Sequence, residues 1–79
     1  MGDKKKTAAE AFGEVLQEIR HRKGLTQEAL ALEAETERSH ISSFERAEKA
    51  PSLRTIFRLA RALNMPAAEL VKQTVATAE

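Results

Sequence analysis

Apolar residues in this chain recur every three or four positions in short blocks, each ended by turn-forming residues. That spacing builds amphipathic helices of a few turns. Runs rich in Val, Ile, Thr and aromatic residues that alternate with period two, as a half-buried strand requires, are absent. The first block is Phe12, Val15, Leu16 and Ile19. The second is the strong helix former from Gln27 through Leu30 to Ala34, and the third holds Ile41 and Phe44 on one face. The fourth carries Leu53, Ile56, Leu59, Ala60 and Leu63, and the fifth Leu70, Val71 and Val75. The expected fold is all-α, a compact bundle of five short helices.

Punctuation between the blocks supports these boundaries. Helix one is expected over residues 8–23, ended by Gly24. Thr26 has the side chain to cap helix two, which stops near Ala34 because Glu35, Thr36 and Glu37 break the apolar pattern. Helix three starts near Glu37 or Arg38 and covers about residues 37–47. Ala50 precedes Pro51 and so disfavours helix, and Ser52 caps helix four. Pro66 suits the first turn of helix five. Residues 1–7 read as a disordered polar tail, residues 8–75 as one domain and residues 76–79 as a frayed end.

Composition removes several classes of function. A chain of 79 residues has room for one domain with a small core. It has no cysteine, and its two histidines, His21 and His40, are too few for a zinc site without carboxylate help, so no cofactor is expected. No apolar run approaches the ~18 residues of a membrane span, and the charged start lacks the apolar stretch of a secretory leader. The expectation is a cytoplasmic protein with no membrane partner. His40 beside Ser39 does not make a nucleophile and its base, because neighbours on a helix point about 100° apart. The net charge is only +1, but cations gather at Lys4 to Lys6, at Arg20, Arg22 and Lys23, and at Arg54, Arg58 and Arg61. A locally basic face on a neutral chain can serve a binder that uses shape and a few phosphate contacts.

Helices two and three are joined by only a few residues, which forces a steep crossing rather than an antiparallel hairpin. Such a crossing needs a small residue at the contact, and Ala31 fits. Leu30, Ala34, Ile41 and Phe44 supply the apolar inner faces. The outer face of helix three then holds Arg38, Ser39, Ser42, Ser43 and Arg46, all hydrogen-bonding groups. A helix built this way suits a groove that displays base edges.

Leu25-Thr26-Gln27-Glu28-Ala29-Leu30-Ala31 resembles the helix-two signature of the phage-repressor-like (XRE) helix-turn-helix family. Ile41-Ser42-Ser43-Phe44-Glu45-Arg46 resembles its helix-three signature, and the segments beginning at Pro51 and Leu59 resemble its helix four. The likeness runs from about Phe12 to Val71. It implies that Arg38, Ser39 and Ser43 reach base edges, with Arg38 able to bind a guanine in bidentate fashion. It implies phosphate contacts for Gln27, His40, Ser42, Arg46, Lys49, Ser52 and Arg54. Arg20 and Glu45 match a family pair that ties helix one to helix three. The chain departs from the family pattern at Glu35 and Ala47, where glycine is usual, and at Thr36 and Glu37, which makes Thr36 a candidate cap for helix three. A left-handed Glu35 would carry strain of about 1 kcal/mol.

These expectations converge on a sequence-specific regulator that binds double-stranded DNA as a homodimer, with Val71 and Val75 at the dimer interface. Within that class a restriction–modification controller and an antitoxin with a partner protein stay open. A protein-interaction module that keeps the fold without binding DNA is the rival, suggested by the acidic Glu35 and Glu37 beside helix three.

Overall fold

A computed structural model describes residues 5–79. It contains α1 (Ala8–Arg22), α2 (Gln27–Glu33), α3 (Arg38–Glu45), α4 (Leu53–Ala62) and α5 (Ala67–Ala78). Three helices start at a hydroxyl cap. Thr7, Thr26 and Ser52 accept the backbone N–H of Glu10, Ala29 and Thr55. Glu10 returns the bond to the Thr7 N–H at 2.9 Å, completing a capping box. Thr7 therefore belongs to the folded unit rather than to a polar tail, and Lys6 Nζ meets Glu14 at 2.8 Å. Lys4, the first residue of the basic run, lies outside the described residues. At the other end α5 continues through the stretch expected to fray, stopping at Ala78.

The first four helices all stop in the same way. Lys23, Ala34, Arg46 and Leu63 are followed by residues with positive φ: Gly24 at 72°, Glu35 at 60°, Ala47 at 60° and Asn64 at 57°. The next N–H in each case reaches a carbonyl five residues back: Leu25 to Arg20, Thr36 to Ala31, Glu48 to Ser43 and Met65 to Ala60. This is the Schellman turn, which satisfies carbonyls a helix end leaves open. Leu25 and Met65 also fold back onto the core. Only one of the four positions is a glycine, so Glu35 and Ala47 hold a conformation that disfavours a Cβ. Thr36, a candidate cap, does not cap α3. Glu37 occupies the cap position and makes no side-chain capping bond.

The core is one cluster. Leu16, Leu30, Ile41, Leu59, Leu63 and Leu70 are fully buried at its centre, and the rings of Phe12 and Phe44 meet edge to face at 6.3 Å. α1 packs on α3 and α5, α2 on α3, and α4 on α5 and α2. Gly13 makes the α1–α3 crossing possible. A Cβ at that position would lie 2.5 Å from the Phe44 carbonyl oxygen and 2.9 Å from that of Glu45. The apolar stripe expected on α4 is only partly inward. Leu53 is 64% exposed, because it opens the helix one turn before the stripe meets the core.

Candidate nucleic-acid interface

α3 owes its placement to its two ends and its inner face. Ile41 and Phe44 are buried, while Arg38 and Ser39 are exposed and Ser42 and Ser43 half-buried. The outward row is thus a set of hydrogen-bonding groups on a helix whose other side is locked into the core. Thr36 Oγ1 and His40 Nδ1 lie 2.9 Å apart, so the turn before α3 is bonded to its first turn.

The far end of α3 is held by a buried ion pair. Arg20 Nε donates to Glu45 Oε2 at 2.6 Å, and Arg20 Nη2 to Glu45 Oε1 at 3.0 Å. The side chains are 7% and 3% exposed. Arg20 Nη1 also donates to the Leu25 carbonyl at 2.8 Å, so one guanidinium ties α1, the α1–α2 link and α3 together. The Glu45 hydrogen bond raises the Arg20 pKa, burial lowers it, and the charges of Glu45 and Glu28 raise it further. The net shift is upward.

Gln27, expected at a phosphate, belongs to this network too. Its Nε2 donates to Glu45 Oε1 at 3.0 Å. One amide hydrogen is thereby engaged, and the second has no partner among the described residues. Nothing in the sequence spacing signals this link, because Gln27 and Glu45 meet only when the helices cross.

Further along the same side, His40, Lys49 and Ser52 line one shallow depression with Phe44, Ala50 and Thr55. Three of the residues expected near phosphate are therefore adjacent, brought together from α3, the loop and the start of α4. The Ser52 hydroxyl is engaged locally, accepting the Thr55 N–H at 3.1 Å and donating to Thr55 Oγ1 at 3.0 Å. Arg54 is exposed beside it. Arg46 pairs with Glu48 at 3.1 Å, and Arg38 Nε lies 3.3 Å from Glu28 Oε2.

A family model described as helix-turn-helix matches residues 16–70. The chain belongs to the XRE-like helix-turn-helix family. α2, the turn over residues 34–37 and α3 form the helix-turn-helix itself. The chain is 38% identical over 56 residues to an uncharacterized HTH-type transcriptional regulator, y4dJ, of Sinorhizobium fredii, a match covering 71% of this chain and 73% of that one. Among solved structures it is similar to the restriction–modification controller protein C.AhdI of Aeromonas hydrophila. That match has 40% identity and a TM-score of 0.76, covering 78% of this chain and 94% of that one. It shares its fold with the controller C.Esp1396I, solved as a tetramer on its natural 35 base-pair operator, at 22% identity and a TM-score of 0.82. That match covers 91% of this chain and 95% of that one.

Among the described residues the exposed large apolar side chains are Leu32 on α2 and two pairs set one helical turn apart. Val71 and Val75 are exposed on α5. Sequence periodicity missed the second, which is Leu53 with Phe57 on α4. Phe57 is 56% exposed and borders a depression that includes Met65 and Pro66. Among the described residues no helix is long and apolar enough to cross a membrane.

Proposed function

We propose that this protein is a sequence-specific transcriptional regulator that places α3 in the major groove of duplex DNA and binds a palindromic operator as a homodimer. The observation that carries this reading is the outward row of Arg38, Ser39 and Ser43 on a helix fixed by a buried ion pair at its far end. Base-reading side chains need such a rigid support, because hydrogen bonds to base edges are lost with small displacements. Arg38 reads a guanine, and Ser39 and Ser43 read neighbouring edges. The second amide hydrogen of Gln27, with Lys49, His40, Ser42, Arg46, Ser52 and Arg54, holds the phosphates on either side and fixes the register.

One α3 covers only a few base pairs, so useful specificity requires two copies about 34 Å apart on a two-fold axis. The uncovered apolar residues of α4 and α5 supply the contact surface, with Leu53 and Phe57 joining Val71 and Val75. Selection of bound duplexes from a random pool, with the solution mass measured alongside, tests the whole reading. An enriched palindrome and a dimer mass support it. Absence of binding even at low salt overturns it and leaves a protein-interaction module.

Within this class, the match to C.AhdI at 40% identity over nearly that whole chain favours a restriction–modification controller. An operator upstream of a restriction–modification gene pair would support that narrower role.

A further inference from the structure

We propose that Glu28 is a specificity-determining positioning residue, which governs how Arg38 meets DNA without itself reading a base. The proposal rests on the reading of α3 as the groove-facing helix. Glu28 stands in the first turn of α2, and its Oε2 lies 3.3 Å from Arg38 Nε on α3. Both side chains are well exposed, so the pair contributes little to folding. Its consequence lies in what it does to the arginine.

The carboxylate approaches the guanidinium at Nε. Among the described residues the two terminal nitrogens, the fork that matches the O6 and N7 of guanine, make no hydrogen bond. A long flexible side chain is thereby biased toward one orientation before DNA arrives. At the same time the negative charge beside Arg38 offsets the attraction of its positive charge for any passing phosphate. The field of Glu28 reaches Arg20 as well, contributing to the raised pKa there. Glu28 thus opposes binding by backbone charge most strongly, while a guanine edge at the Arg38 fork, which carries no net charge and is held by directed hydrogen bonds, loses less by its presence. Specificity is the difference between those two affinities.

The test is titration of the unaltered protein, Glu28→Gln, Arg38→Ala and the double variant against a selected operator, the operator changed at the base pair read by Arg38, and a random duplex. Glu28→Gln should bind the random duplex about three- to tenfold more tightly at low salt, with a salt slope steeper by about one. Its preference for the selected base pair should fall by a similar factor, and the substitution should have no such effect in the Arg38→Ala background. An unchanged ratio of operator to random affinity in Glu28→Gln overturns the proposal and leaves the DNA-binding reading standing. The same loss of preference with and without Arg38 also overturns it. No binding by the unaltered protein at low salt overturns both.

Discussion

The guanidinium of Arg20 and the carboxylate of Glu45 face each other two-pronged, at 2.6 and 3.0 Å, in a nearly water-free site between α1 and α3. Breaking such a pair from one side strands the other charge without solvent. Glu45→Ala is expected to cost about 3–5 kcal/mol, against roughly 0.5 kcal/mol or less for Arg46→Ala, whose partner Glu48 is exposed. Denaturant midpoints decide, and the reverse order would remove the pair as the anchor of α3. The Arg20 pKa is raised in the fold. Its contribution is therefore fully present below the unfolded pKa and is lost only as pH climbs through the folded one. Stability between pH 5 and 9 should not vary on its account.

Glu35 and Ala47 sit at φ of 60° on either side of α3, where glycine is at ease. Glu35→Gly and Ala47→Gly should each stabilise the protein by about 0.5–1 kcal/mol, relief of left-handed strain exceeding the entropy glycine adds to the unfolded chain. Thermal melts of the two variants check this. Destabilisation by either would mean the turn is held in place by its side chain.

Gly13→Ala tests the crossing of α1 over α3. The new methyl would meet backbone oxygens of Phe44 and Glu45, which cannot swing aside as a side chain could. A loss of about 1–3 kcal/mol is expected, with operator affinity falling further than stability alone explains, because α3 must tilt. An unchanged melting temperature would show that the helices can separate freely.

Arg38→Ala should weaken binding to the selected operator by about 1–3 kcal/mol and relax preference at a single base pair. Equal losses on every sequence would make Arg38 a phosphate contact. Lys49→Ala should instead weaken all duplexes alike and lower the salt slope by about one.

Phe57→Glu places a charge in the uncovered apolar surface of α4, and Val75→Glu does the same on α5. Each is expected to reduce the dimer fraction in sedimentation while leaving the circular dichroism of the monomer intact, since neither residue is in the core. A dimer that survives both substitutions would place the subunit contact elsewhere.

The five helices, the hydroxyl caps Thr26 and Ser52 and most of the core were legible in the chain, because helical periodicity and capping are local properties; the Thr7 cap was not. The outward row of α3 followed from the same periodicity once Ile41 and Phe44 were placed inside. The left-handed backbone at Ala47 showed only through the resemblance to a family with glycine there, since alanine itself does not advertise it as Gly24 and, more weakly, Asn64 do. What only the tertiary structure decided are the relationships between helices. Gln27 joining the Arg20–Glu45 pair, Gly13 passing beneath α3, Glu28 reaching Arg38 and Leu53 turning outward all depend on crossing geometry. Periodicity assigns each residue a face on its own helix. Which faces meet, and at what angle, is set by the packing of side chains far apart in sequence.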